Sequence, residues 1–134
     1  IPAGCNQEVE LRLRSNVSLH SNTGYEILVQ MKSAAVVGAP TYMSIVLWNG
    51  ALGHFTVLPM LNGNAHDGDR IRARIVGSTI SVYQNDVLQA SVDDATFATG
   101  NPGMGFYVSP FNVSSCFTTP NAFGVTSFSA RALP

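Results

Sequence analysis

Charge is scarce in this chain. Of its 134 residues only 11% are Asp, Glu, Lys or Arg, the net charge is −1, and Lys32 is the single lysine. So thin and balanced a charge offers no basic field for nucleic acid or an anionic membrane, and neither is expected as a partner. Long apolar runs are missing too. Stretches such as "ILV" and "AAVVGA" fall far short of the roughly 20 residues a helix needs to cross a bilayer. Cysteine is limited to Cys5 and Cys116. Placed near opposite ends, the two have the spacing of a staple rather than of a metal site or a C-x-x-C redox pair, so a Cys5–Cys116 disulfide is expected. Closing so long a loop contributes about 4 to 5 kcal/mol in the chain-entropy account. No Met precedes Ile1, and Ser, Thr, Asn and Gly abound. A processed extracellular chain, or an excised piece of one, is the expectation, and the sequons at Asn16 and Asn112 are compatible with it.

What is present is alternation. In "EVELRLR" (8 to 14), Glu8, Glu10, Arg12 and Arg14 alternate with Val9, Leu11 and Leu13, the pattern of a half-buried strand. "GYEILVQMK" (24 to 32) and "YMSIVLW" (42 to 48) are strand-like by their β-branched and aromatic content. The Asn-Gly of "WNGALGHF" predicts a hairpin joining 42–48 to 54–58, with Pro59 closing the second strand. After the polar loop "NGNAHDGD" (62 to 69), the turns Gly77-Ser78 and Asn85-Asp86 divide a three-stranded meander at 70–76, 79–84 and 87–92. A loop at 97–105 and strands at 104–109 and 123–131 complete the reading. One domain over residues 1 to 134, an all-β antiparallel sandwich, accommodates these short strands.

The succession "GYEILVQ", "VLWNGALGHFTVL", "GDRIRARIVGSTISVYQNDVLQASVDD" and "GNPGMGFYV" resembles the concanavalin A-like lectin/glucanase jelly rolls, particularly laminin-G-like modules of secreted proteins. A strand ending in Trp-Asn-Gly, a Gly-Asp ahead of an alternating strand and an "I-x-V-Y-x-N-G" hairpin carry the resemblance, with Asp86 standing where Gly is usual. It covers about residues 24 to 108. It implies a jelly roll, with ligands on a concave sheet or in end loops. Such domains usually carry additional strands ahead of the point where this chain begins. Either this domain is a compact variant, or another chain completes it, self-association through the open edge of a sheet lacking a strand being one way.

Several chemistries compete. The meander, with Ile71, Ala73, Ile75, Ile80, Val82, Leu88, Ala90 and Val92 turned inward, places Arg72, Arg74, Ser81, Tyr83, Gln89 and Ser91 on the other face. An aromatic plane beside planar donors suits a glycan, so Arg72, Arg74 and Tyr83 are the candidate carbohydrate-binding residues, and Trp48 is a second platform. The alternative for Trp48 and Tyr83 is burial, and for the arginines a solvated strand face. Asp67 and Asp69, with Asn62 and Asn64, offer hard oxygen ligands for calcium, which laminin-G-like modules often bind, although "DGD" is also ordinary turn chemistry. The E-x-D-x-x-E strand of the glucanase branch is absent. Glu8 and Glu10, about 7 Å apart along a strand, are the nearest carboxylate pair, and a charged outer face explains them equally. No G-x-S-x-G occurs, and His20, His54 and His66 lack metal-ligand spacing. The sequence therefore leads to a non-catalytic, extracellular carbohydrate-binding module. A structural subunit of an adhesive assembly joined by strand donation, and a glycan-active hydrolase or lyase, stand as its alternatives.

Overall fold

The computed structural model describes residues 6–32, 42–61, 65–108 and 124–132, and among these it contains strands and no helix. The strands are β1 (Asn6–Ser18), β2 (Ser21–Lys32), β3 (Met43–Ala51), β4 (Phe55–Leu61), β5 (Ile71–Val76), β6 (Thr79–Gln84), β7 (Val87–Asp93) and β8 (Asn101–Val108). They form two antiparallel sheets, one in the order β4-β3-β2-β1-β8 and one in the order β5-β6-β7. The chain is an antiparallel β-sandwich.

Period-2 alternation decides which side chains meet between the sheets. Tyr25, Ile27 and Val29 of β2 and Met43 and Ile45 of β3 point inward from the large sheet, and Ile80 and Val82 of β6 meet them from the small one. Leu11 and Leu13 pack against this cluster from β1, as do Ile71, Ala73, Ile75, Ala90 and Val92 from β5 and β7. Tyr25 ties the layers by more than packing. Its hydroxyl donates to Asp94 Oδ1 at 2.7 Å and accepts the Phe97 N–H at 3.1 Å, and its ring meets Phe97 edge-on at 5.7 Å. The segment that carries the chain from β7 back to the large sheet is thus pinned to β2.

The two short turns of the meander form as expected, with Gly77 at φ 59° and Asn85 and Asp86 at φ 50° and 66°, the left-handed pair of a type I′ turn. Elsewhere the chain departs from its pattern. The β3–β4 turn lies at Ala51–His54, closed by the His54 N–H on the Ala51 carbonyl, because Gly53 supplies the positive φ and Asn49-Gly50 remain in the strand. β4 continues through Pro59 to Leu61, since a register shift opposite Ser44–Val46 relieves the ladder and β4 is an edge strand among the described residues. β8 begins at Asn101, inside the expected 97–105 loop. Residues 124–132 form no strand, against the expected 123–131.

Two bulges redirect side chains. A register shift in β1 between Leu13 and Asn16 puts Arg14 at φ 48° and sends its guanidinium to the Phe97 carbonyl, so Arg14 does not continue the face of Glu8, Glu10 and Arg12. A second shift between Val82 and Tyr83 pairs Leu88 with Tyr83 and leaves Leu88 exposed rather than in the core. Cys5, Cys116 and Asn112 lie outside the described residues, and Asn16 is exposed.

Candidate functional site

The outer face of the five-stranded sheet, turned away from β5–β7, holds a cleft of about 1160 Å³. Pairing register lays out its contents in rows. Phe55, Trp48 and Gly24 are paired across β4, β3 and β2. The next row is Val57, Val46, Glu26, Arg12 and Gly103, and the next is Ser44, Leu28, Glu10 and Gly105. Gln30, Glu8 and Tyr107 make the last, with Tyr42 beside Gln30 through the Gln30 N–H to Tyr42 carbonyl bond. One side of the cleft is therefore apolar and aromatic and the other polar. The chain has three glutamates, and all three line this cleft.

At its floor the polar groups form a buried network. Arg12 Nη2 donates to Glu10 Oε2 and lies 3.2 Å from Glu26 Oε2, which also accepts Trp48 Nε1–H at 2.6 Å. Glu26 is 2% exposed and Glu10 7%. Burial, then the nearby Glu10 charge, push the Glu26 carboxyl up to about 7, against the opposing pull of Arg12 and the Trp48 hydrogen bond. Glu8 is raised as well, by burial and then by Glu10, with its Gln30 hydrogen bond opposing. Burial and the Glu8 charge raise the Tyr42 hydroxyl. Such a network is costly unless every member is satisfied. Arg12 Nη1 and Asn22 Oδ1, buried and lining the same cleft, have no hydrogen-bond partner among the described residues.

β8 leaves room for this network by having no side chain opposite it. A Cβ on Gly105 would meet the Glu10 carboxylate, so a side chain there would push that carboxylate out of its place beside Arg12. Above the floor, the Trp48 and Phe55 rings stand 5.2 Å apart at 50°, and Phe55 is half exposed. An aromatic wall beside a floor of fixed donors and acceptors can hold the apolar face and hydroxyls of a sugar at once.

The candidates from sequence separate into two places. Trp48 belongs to the cleft. Arg72 and Tyr83 lie together on the outer face of the small sheet, the guanidinium 3.8 Å from the ring centroid, and Arg72 also approaches Asp86 at 3.8 Å. Arg74 lines a shallow depression there with Val76, Thr79 and Ser81. Ile80 and Val82 of the same strand are in the core, so this face and the cleft are on opposite sides of the sandwich, and the structure does not bring Trp48 to the arginines.

Asp69 is committed to its own loop. Its Oδ2 accepts the His66 N–H at 2.8 Å and Gln84 Nε2–H at 2.6 Å, its Oδ1 accepts Asn85 Nδ2–H at 2.7 Å, and these bonds, Asn85 foremost, hold its carboxyl below the usual range. Asp67 is exposed, and Asn62 and Asn64 lie outside the described residues. Among the described residues no three His, Cys, Asp or Glu side chains gather in a way that could hold a metal ion.

Sequence reasoning missed Asn22, Tyr42, Phe55 and Tyr107 and, most consequentially, Glu26. Its signal was a lone glutamate inside the apolar run "GYEILVQM", on the face opposite Tyr25 and Ile27. Compared with family models, curated proteins and solved structures, the chain matches none.

Proposed function

We propose that this chain is a non-catalytic, lectin-like glycan-binding module whose ligand lies in the cleft across the five-stranded sheet. The observation that carries this reading is the Trp48–Phe55 wall standing over a buried floor in which Asn22 Oδ1 and Arg12 Nη1 lack partners. A sugar hydroxyl is both donor and acceptor and supplies what each atom lacks. The resemblance of residues 24 to 108 to concanavalin A-like jelly rolls supports the same reading, and an extracellular setting, where glycans are displayed, is part of this proposal.

Binding is favoured over hydrolysis by the position of Arg12. Glycosidases of the retaining type set two carboxyl groups about 5 Å apart with the scissile bond between them. Here Glu10 and Glu26 converge on one guanidinium, and Arg12 occupies the space a glycosidic oxygen would need.

A glycan array with the wild-type chain, Trp48→Phe, Phe55→Ala and Arg74→Ala tests the reading. Specific hits weakened in Phe55→Ala and Trp48→Phe and retained in Arg74→Ala are expected. Hits lost only in Arg74→Ala would move the site to the small sheet.

A further inference from the structure

Resting on that reading, the charge distribution in the cleft narrows the ligand. Its described charged side chains are Glu8, Glu10, Glu26 and Arg12. Arg12 is shared by Glu10 and Glu26, so its charge is already engaged. Among the described side chains, which do not include that of Lys32, Glu8 has no cationic partner. It is half-buried, paired across the strands with Tyr107 on one side and Gln30 on the other. The Tyr42 hydroxyl lies 3.5 Å from Gln30 Nε2, which brings a second aromatic residue to the same end.

We propose that the cleft takes a glycan bearing free amino groups, of the glucosamine type, with an ammonium held by Glu8 beside Tyr42 and Tyr107. A cation next to a carboxylate and aromatic faces gains from both, and the gain grows as water is excluded. A uronate or sulfated chain would instead bring its charge against the Glu8 carboxylate, with Arg12, the one described arginine of the cleft, already engaged by Glu10. The acids alone would not define a site. Asn22, 3% exposed with its Oδ1 unpartnered, marks the opposite end as one that also awaits a donor, and the amine and hydroxyls of one chain meet both ends. The aromatic wall at Trp48 and Phe55 favours a sugar over a basic peptide as the carrier of the amine.

The test is calorimetric titration, at about pH 6 where the amine is charged, with hexamers of glucosamine, N-acetylglucosamine, glucose and galacturonate, and with hexalysine. The glucosamine hexamer is expected to bind about tenfold or more tighter than the acetylated one, and the galacturonate hexamer not at all. Glu8→Gln keeps a hydrogen-bonding group for Gln30 and is expected to erase this preference, bringing the affinities for the two hexamers together. Equal or tighter binding of the neutral hexamers, or an amine preference that survives Glu8→Gln, would overturn the proposal while leaving the glycan-binding reading in place. Hexalysine binding as tightly as the glucosamine hexamer would show that charge alone is read and would overturn it too. Binding of none of the five would remove the glycan-binding reading and this proposal with it.

Discussion

Trp48 Nε1 donates to Glu26 Oε2 at 2.6 Å, joining the sole tryptophan of the chain to its most deeply buried carboxyl group. The indole is therefore an optical reporter of the Glu26 proton. With the carboxyl raised to about 7, tryptophan emission is expected to titrate with a midpoint near neutrality. Glu26→Gln, which keeps an acceptor for the indole, is expected to abolish the transition. A flat emission profile through neutral pH in the wild type would contradict this geometry.

The same group makes stability depend on pH, and the sign follows from linkage. Glu26 titrates at an ordinary 4.5 when unfolded and at about 7 when folded, so between these values the native state holds more protons. Stability contributed by Glu26 is therefore greatest at low pH and falls as pH rises from 4.5 through 7, levelling off above. The groups facing it are Glu10 and Glu8, which add to the shift, and Arg12, which opposes it. Urea unfolding is expected to show Glu26→Gln more stable than wild type by roughly 1 to 3 kcal/mol at about pH 8, and nearly equal to it at about pH 5. The same difference at both values would refute the assignment.

Gly105 and Glu10 share space, so a methyl at Gly105 displaces the Glu10 carboxylate from its place in the network. Gly105→Ala is expected to cost about 1 to 3 kcal/mol by overpacking at the edge of the cleft. Truncating the carboxylate should relieve it, so Glu10→Ala combined with Gly105→Ala is expected to lose less than the sum of the single changes. Additive losses in a double-mutant cycle would show that the two residues do not meet.

Tyr25→Phe removes one oxygen and disconnects two partners, the Asp94 carboxylate and the Phe97 N–H. The expected loss is about 1 to 3 kcal/mol, since those groups are left short of a partner at the junction of the sheets. Denaturant unfolding measures it, and a loss below about 0.5 kcal/mol, the level of an ordinary surface change, would mean that the tether contributes nothing.

Much of the fold was legible because two-residue periodicity is local. The meander at residues 71 to 93 and the charged face of Glu8, Glu10 and Arg12 follow from alternation alone. What alternation cannot indicate is where it breaks. The bulge at Arg14 and the register shift beside Leu88 invert faces through backbone conformations that their side chains do not announce. The site was half legible for a related reason. Trp48 stood out by its chemistry, but Glu26 matters because β2 lies between β1 and β3, and that adjacency is a property of the assembled sheet. The arginines of β5 were conspicuous because their strand alternates so regularly, yet they face away from the cleft.

Which face of the sandwich meets the ligand is read directly by amide chemical-shift mapping during titration with the glucosamine hexamer. Shifts concentrated at Glu8, Asn22, Glu26, Ser44 and Trp48 are the predicted result. Shifts concentrated at Arg72, Arg74, Ser81 and Tyr83, with the cleft silent, would contradict it.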